Sequence, residues 1–281
     1  MNALRPAVDA RALTIIHRVG SDHDTRSHFE AQDSMEHGGQ AGGGWIGRFL
    51  RFHEHASAGA LSVVALCLEV PEPLRGAPSA TALQSINDFR FSGNYDFVAS
   101  LRSLYRKQND FFVTRANDTF HALDRLRELH AKDYTPANGA EYSGDRFCTE
   151  MRMATQLIKA RLGVEAITVD LGGLDSHISQ GPAIIPNIGR LANGLAAFRR
   201  DLGVEMLKTT VVVMSEFGRR VKENSVLGTD HGRGGLMFIM GGDGEEGKTI
   251  ADWPGLTEEN LVGPGDLPVM TDYRDVLFPI L

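Results

Sequence analysis

The stretch from Thr210 to Met240 constrains the fold of this chain more than any other, because polar residues separate two short apolar runs. Its first run, Val-Val-Val-Met at 211–214, is β-branched and unbroken, the pattern of a parallel strand covered on both faces. The loop before the second run carries a carboxylate, an Asp-His pair and two arginines, namely Glu216, Asp230, His231, Arg219 and Arg233. Ligands of open α/β sheets bind beyond the carboxyl ends of strands, so we expect chemistry in this loop.

Further apolar runs predict an alternation of strands and helices along the chain. The predicted strands are 12–19, 60–70, 166–170, 209–214 and 236–240. The predicted helices are 27–35, 186–202 and a helical section at about 85–160, while the glycine-rich segment 38–47 is predicted to be a flexible loop. This alternation indicates βαβ units, with helices on both faces of a central, mostly parallel sheet. Because no low-complexity linker divides the chain, we expect one α/β domain over residues 1–281.

Composition and charge exclude several classes of protein. The net charge of −7 argues against a nucleic-acid partner, which would need a basic patch. The longest apolar run is about ten residues, which is too short for a membrane span. Read from Met1, the chain has no signal peptide, so we expect a cytoplasmic protein, or an exported one if a signal precedes this start. Cys67 and Cys148 form no CxxC pair, which argues against a zinc ribbon or a dithiol redox site.

A first polar cluster follows the first predicted strand. Ser27 and Glu30 form a capping-box pattern, and in that interpretation Ser27 only caps a helix. The functional alternative is that a hydroxyl at a helix N-terminus, where negative charge is stabilised, acts as a nucleophile beside a metal. The candidate catalytic residues of this cluster are Thr25, Arg26, Ser27 and His28.

Two more clusters follow later strands and contain metal-ligand types. Asp175 and His177 lie two residues apart, after a pair of glycines, and could share one cation. Asp/His ligation fits zinc, manganese or iron better than calcium. Glu216, Asp230 and His231 supply further ligand types, although an ion pair between Glu216 and an arginine is the structural alternative. Because all these clusters follow predicted strands, we expect a divalent metal near them.

Four motifs resemble the bacterial family called domain of unknown function 1501. They are RSHFEAQDSME (26–36), VDLGGLDSHISQG (169–181), SEFGRRVKEN (215–224) and GTDHGRGGLMFIMGG (228–242). The closing DWPGL and DLPVMTDYRDVL are similar too, so the resemblance runs over essentially the whole chain. It implies the alkaline-phosphatase-like superfamily of phosphatases, sulfatases and phosphomutases, and therefore a three-layer α/β sandwich. The family's own activity is not established, so the resemblance implies a fold and a site more than a reaction.

The superfamily resemblance also implies residue roles. The GTDHGRG segment is similar to a phosphopentomutase motif whose histidine binds metal, which makes His231 a candidate ligand. The segment 215–218 occupies the place of an Ala-Asp-His-Gly motif, where Glu216 can still ligate and Phe217 cannot. Asp175 and His177 resemble the first-metal Asp-x-x-x-His pair with shorter spacing. Asp24-Thr25 is similar to the nucleophile segment of phosphopentomutase, so Thr25 is a candidate nucleophile and Ser27 its rival.

The chain departs from the family pattern at its start. Family members normally begin with a strand that ends in a Gly-Gly-x-Asp-Gly-Leu-Asn-like segment, the place of a metal-binding aspartate. This chain starts after that segment, at Arg5-Pro6, so we expect the N-terminal strand to be missing and the sheet to be less stable. Many relatives also carry an N-terminal export signal, which would be lost with it.

Together these observations predict a metal-dependent hydrolase that acts on a small anionic ester, either a phosphate or a sulfate. Ser27 or Thr25 would attack, and Arg26, Arg219 and Arg233 would hold the oxyanion. Asp175, His177 and His231 would hold a divalent cation, with Glu216 or Asp230 supporting a second one. The alternative is a non-catalytic relative that binds an anionic ligand or a partner at a degenerate metal site.

Overall fold

The computed structural model describes residues 2–39, 42–53, 59–86, 95–105, 111–130, 133–242 and 247–281. The α-helices are α1 (Arg5–Asp9), α2 (His28–His37), α3 (Trp45–Phe52), α4 (Tyr95–Tyr105), α5 (Phe111–His130), α6 (Arg146–Lys159), α7 (Gln180–Leu202) and α8 (Tyr273–Leu277). The strands are β1 (Leu13–Gly20), β2 (Val63–Ala65), β3 (Thr81–Ala82), β4 (Ala166–Thr168), β5 (Thr210–Val213), β6 (Gly235–Gly241), β7 (Thr249–Ile250) and β8 (Thr271–Asp272). Parts of the predicted loop at 38–47 and of the helical section at about 85–160 lie outside the described residues.

The chain divides into two compact units. The first contains Met1–Gly42, Ala137–Cys148 and Leu171–Leu281, and the second contains Gly43–Pro136 and Thr149–Asp170. Each unit has its own sheet, so the architecture is mixed α/β. Two compact units can belong to one domain, and the single-domain interpretation stays a prediction. No helix in the described ranges has the length and apolar character needed to cross a membrane.

The sheet of the first unit has the strand order β5-β6-β1-β7, with β8 also paired to β1. Strand β6 runs antiparallel to both of its neighbours, with Ile15 opposite Phe238 and Val212 opposite Ile239. Strands β7 and β8 pair with β1 in parallel. Buried side chains recur along β1 at Leu13, Ile16 and Val19, and along β6 at Met237, Phe238 and Met240. The apolar core of this unit therefore lies partly against its two longest strands.

The prediction that 211–214 forms a parallel strand covered on both faces is wrong. Strand β5 pairs antiparallel with β6, and its side chains are half-buried or exposed. An apolar run shows only that a segment is extended and apolar, and the direction of its neighbour depends on the connection between them. Here the polar loop 214–234 leaves the sheet at the end of β5 and returns to the same end of the sheet, where β6 begins.

The second unit contains a parallel sheet in the order β3-β2-β4. Its central strand β2 is fully covered, and Leu50, Val63, Ala65 and Leu74 form a buried cluster there. The predicted strand 60–70 is confirmed only over this short core, Val63–Ala65, because the chain bends again from Leu66 and meets Pro71. The predicted loop 38–47 is wrong at its end, since α3 begins at Trp45 and includes Gly47.

The predicted helix 186–202 is confirmed as α7, but its first boundary is wrong. Helix α7 begins earlier, at Gln180, and carries Pro186 inside it. Proline is favoured in the first turn of a helix, so the sequence pattern indicates a start at this residue. Buried residues such as Ala192, Leu195 and Phe198 recur on the face that the spacing predicts.

The end of β8 offers a test of local stability. The Asp272 carboxylate caps α8 by accepting from Arg274 N at 2.8 Å, and it also pairs with the Arg274 guanidinium. The Arg274 hydrogen bond lowers the pKa of Asp272 below its ordinary value. We expect Asp272→Ala to lower the free energy of unfolding at pH 7 by about 1 kcal/mol.

This stabilisation should depend on pH, because a lowered folded-state pKa favours the native state only while the carboxyl is ionised. It should be complete above the ordinary aspartate pKa of about 3.9 and decline as the pH falls through the lower folded value. Urea unfolding of Asp272→Ala at pH 7 and pH 3 measures it. The control variant is Asp22→Ala. Asp22 is exposed and binds the same guanidinium at 3.0 Å, but it caps no helix. An equal loss at both pH values would contradict the ionic origin.

Candidate metal centre

The strand directions of the first sheet bring three loops to one edge. Strands β1 and β5 both end where β6 begins, because β6 is antiparallel to each of them. The segment after β1 carries residues 21–28, the segment after β5 carries Glu216, and the segment before β6 carries residues 230–234. A fourth segment, 171–179, belongs to the same unit. The clusters that are far apart in sequence therefore lie together.

A short antiparallel pairing fixes the loop between β5 and β6. Arg219 forms an isolated bridge with His231, and Gly218 N donates to the Arg233 carbonyl at 2.8 Å. A side chain at Gly218 or Gly232 would overlap the opposite backbone, so glycine is required at both places. This pairing sets the backbone positions of Asp230 and His231.

Three imidazole rings converge on one carboxylate. The Nε2 atoms of His177 and His231 lie 3.1 Å and 3.2 Å from Asp175 Oδ1, and they lie 2.9 Å from each other. His28 Nε2 lies 3.3 Å from the other oxygen, Asp175 Oδ2. One ligand atom each from His28, Asp175 and His231 falls within 4.8 Å of the other two. His177 Nε2 lies beside this group, where it contacts Asp175 and His231.

Each imidazole has an acceptor on its other nitrogen. His28 Nδ1 lies 2.6 Å from Glu216 Oε1, His177 Nδ1 lies 3.1 Å from Asp230 Oδ1, and His231 Nδ1 lies 2.7 Å from the Arg26 carbonyl. In the neutral rings Nδ1 would carry the proton and Nε2 the lone pair. Three lone pairs would then face the anionic Asp175, an arrangement that a cation between them would explain. Outer acceptors of this kind orient histidine ligands in metal sites.

The spacing of these atoms fits a small cation. Ligand atoms on a tetrahedral zinc lie about 3.3 Å apart, given bonds of about 2.0 Å. The three histidine Nε2 atoms lie 3.1–3.3 Å from an oxygen of Asp175, and those of His177 and His231 lie 2.9 Å apart. His28 Nε2 is also buried, and its contact with Asp175 Oδ2 at 3.3 Å lacks good hydrogen-bond geometry. A buried nitrogen with a poorly aligned partner has a free-energy cost that a better-placed ligand would reduce.

Charge around the site favours ionised carboxylates. Desolvation raises the pKa of Asp175, but its hydrogen bonds with Arg219 and His231 outweigh it and hold that pKa well below its usual range. The hydrogen bond with His177, followed by that with Asn224, lowers the pKa of Asp230. The hydrogen bond with Glu216 raises the pKa of His28 against the opposing effect of desolvation. Asp175 is therefore anionic, as a metal ligand must be.

The predicted metal residues take two kinds of position. Asp175, His177 and His231 lie in the convergent group. Glu216 and Asp230 instead accept from the Nδ1 atoms of His28 and His177, so they stand behind the histidines. His28, predicted from sequence as a catalytic residue, lies with the candidate ligands. Phe217 packs against the rings of His28 and His231 at 5.0 Å and 4.6 Å between centroids.

The predicted arginines are mostly engaged by the protein itself. Arg219 donates to Asp175 Oδ1 at 2.9 Å, to the Ser176 carbonyl at 2.8 Å and to Thr229, so all three of its nitrogens are occupied. Arg26 pairs with Asp266, and Arg233 donates to the Ser21 carbonyl at 3.2 Å. The Nε atoms of Arg26 and Arg233 are buried and lack partners within the described ranges.

The two candidate nucleophiles differ in their surroundings. Thr25 Oγ1 donates to Glu30 at 2.6 Å and accepts from Ser27 N at 3.2 Å. Ser27 is the N-cap residue of α2, but its side chain makes no capping hydrogen bond in the described structure. The hydrogen bonds of the predicted capping box are therefore not formed, because the Glu30 carboxylate accepts from Thr25. Ser27 immediately precedes His28 and keeps its hydroxyl out of the helix hydrogen bonds.

Sequence reasoning missed three residues that support the centre. Asn224 Nδ2 donates to the His177 carbonyl at 2.9 Å and to Asp230 Oδ1 at 3.3 Å. Arg220 Nη1 donates to Asp230 Oδ2 at 3.2 Å, and the buried Asp266 pairs with both Arg26 and Arg220. Asn224 and Arg220 stand inside the motif SEFGRRVKEN, and that motif was the signal that could have found them.

A substitution at Gly228, where two loops approach each other closely, tests this arrangement. A Cβ on Gly228 would overlap the His177 carbonyl, and Asn224 Oδ1 accepts from Gly228 N at 3.0 Å. We expect Gly228→Ala to lower the free energy of unfolding by about 1–3 kcal/mol, because the backbone must move. Gly172→Ala, with nothing near its Cβ, should stay within about 0.5 kcal/mol of the wild type. Urea denaturation compares the variants, and equal effects would contradict the close approach.

Comparison with known proteins identifies the family. The chain matches the model of the DUF1501 family, described as a protein of unknown function, over residues 14–279. It therefore belongs to the DUF1501 family. A search of curated proteins found no match to the chain. A search of solved structures found no match either.

Proposed function

We propose that this DUF1501 member is a metal-dependent hydrolase of phosphate or sulfate esters, with an alkaline-phosphatase-like α/β fold. The observation that carries the proposal is the convergence of three histidine Nε2 atoms on Asp175, each ring fixed by an acceptor on Nδ1. The residues that would hold the cation are His28, Asp175, His177 and His231.

The donor set fits zinc best and also suits manganese or iron. Imidazole and carboxylate ligands are common to all three metals. Four protein ligands fill a tetrahedron, so catalysis requires a further coordination position. The side chains of Asp175 and His177 are 46% and 42% exposed, which supports access from solvent on their side of the site. Phe217 packs on two of the rings, which favours one cation over the two that the superfamily resemblance implies.

Ser27 is the better candidate for the nucleophile. It adjoins the candidate ligand His28 at the start of α2, where the helix dipole stabilises negative charge. When bound, a divalent cation would lower the pKa of a neighbouring hydroxyl and offset charge that develops on the ester oxygens. Thr25 has its hydroxyl engaged with Glu30, and its acceptance from Ser27 N supports a positioning role.

The oxyanion would be held mainly by the start of α2 rather than by Arg219. The first N–H groups of a helix have no partner within it and bind anions readily. Arg219 has its nitrogens committed to Asp175, Ser176 and Thr229. Arg26 and Arg233 each keep one buried N–H without a partner in the described ranges, so they remain candidates.

Metal content and ester hydrolysis test the proposal together. We expect the purified protein to bind one equivalent of zinc, manganese or iron and to hydrolyse an aryl phosphate or an aryl sulfate. His231→Ala should lose metal affinity by more than about 100-fold, since even outer residues of such sites contribute 10–100-fold. His37→Ala, at the far end of α2, is the matched control and should retain both properties. If elemental analysis finds no metal in the folded wild type, the proposed metal centre is contradicted.

Two single substitutions test the nucleophile. Ser27→Ala should keep the metal and lower kcat by about 1,000-fold or more, because the attacking group is gone. Thr25→Ala should lower kcat less, since its hydroxyl supports the loop. The reverse order, measured with the same aryl ester and with metal content checked in each variant, would assign the attack to Thr25.

A non-catalytic role in binding an anionic ligand is the second candidate. It is favoured by the engagement of Arg219 and by Phe217 beside the histidines, since both features leave fewer groups for chemistry. A wild type that binds metal and inorganic phosphate but hydrolyses neither ester would support this candidate over the enzyme.

A further inference from the structure

One buried carboxylate, Asp266, joins two arginines that lie behind the candidate metal centre. Its side chain is 0% exposed. Arg26 Nη2 pairs with Asp266 Oδ2, and Arg220 Nε lies 3.7 Å from Asp266 Oδ1. A fully buried carboxylate has a large desolvation cost, which only paired charges and hydrogen bonds offset.

Each of these arginines contacts a group that orients a histidine. The Arg26 carbonyl accepts from His231 Nδ1 at 2.7 Å. Arg220 donates to Asp230 Oδ2 at 3.2 Å, and the other oxygen of Asp230 lies 3.1 Å from His177 Nδ1. A continuous path of contacts therefore runs from His231 through Asp266 to His177.

We propose that Asp266 is a positioning residue that fixes the orientation of His177 and His231 together and thereby sets the metal affinity of the centre. The inference rests on the proposed metal centre and extends it beyond the groups that touch the histidines. Two arginines of like charge share this carboxylate, so its negative charge holds both in place. Without it, Arg26 and Arg220 would repel each other, and the acceptors of both rings would shift.

The backbone of Asp266 is held independently of its carboxylate. Its N–H donates to the Val262 carbonyl at 2.9 Å, and its carbonyl accepts from Val262 N at 2.9 Å. The replacement Asp266→Asn keeps the shape of the side chain and these backbone bonds, and it removes the charge. The substitution therefore tests the ionic bridge rather than the turn.

Zinc titration of the full chain tests the proposal, with Co²⁺ absorption as a probe of ligand geometry. We expect Asp266→Asn to raise the Kd for zinc by about 10–100-fold and to alter the Co²⁺ spectrum, because two rings lose their orientation. The matched control is Asp201→Asn, another buried carboxylate of the same unit, which binds Ala137 N and Tyr142 Oη away from the histidines. It should lower stability while leaving the zinc Kd and the spectrum unchanged.

A second variant covers the case in which Asp266→Asn does not fold. Arg220→Gln breaks the same path at a side chain that is 29% exposed, and it should raise the zinc Kd in the same direction. Arg274→Gln, a paired arginine outside the path, is its control and should not change the Kd. A wild type that binds no zinc would overturn the metal centre itself. A zinc-binding wild type whose folded Asp266→Asn or Arg220→Gln variants keep its Kd and spectrum would overturn only the role of Asp266.

Discussion

The antiparallel placement of β6 between β1 and β5 is the constraint on which the candidate site depends. An antiparallel partner begins where its neighbours end, so the loop before β6 meets the loops after β1 and β5. A parallel β6 would have required the chain to cross to the opposite end of the sheet first. His231 and Asp230 would then enter the sheet far from His28 and Glu216. The backbone pairing of Arg219 with His231 continues the same geometry beyond the strands.

The charged and polar contacts of the site converge on the carboxylate of Asp175. Arg219 donates to it, and the Nε2 atoms of three histidines face it. Because Glu216 and Asp230 accept from the Nδ1 atoms of His28 and His177, two rings are polarised by carboxylates from behind. His231 differs, since its acceptor is a neutral carbonyl. Carboxylate partners make a ligating imidazole more basic, so the three rings would bind a cation with unequal strength.

Much of this arrangement could be predicted from the sequence. The rest could not, because it depends on contacts between residues that are far apart in the chain. The strand 12–19 is confirmed as β1, with a shift of one residue at each end, because a short apolar run is a local signal. The pairing direction of β5 depends on a distant segment, so its own residues could not show it. Ser27 is the N-cap residue of α2 as its pattern indicates, yet Glu30 bonds to Thr25 and not to the cap residue. Asp266 is the first residue of the closing motif DLPVMTDYRDVL, but its role could not be predicted, because its partners Arg26 and Arg220 are 240 and 46 residues away in the chain.

The separation of these residues along the chain also links the site to the stability of the fold. Residues 28, 175 and 231 come from three segments, and holding their loops together has a cost in chain entropy. Before a cation binds, this cost is offset by hydrogen bonds between side chains of different loops, such as His28 with Glu216. A cation that binds the folded chain and not the unfolded one would add stabilisation that grows with its concentration. The same carboxylates that orient the rings would then hold the loops in place before the cation arrives, which lowers the entropic cost of binding it.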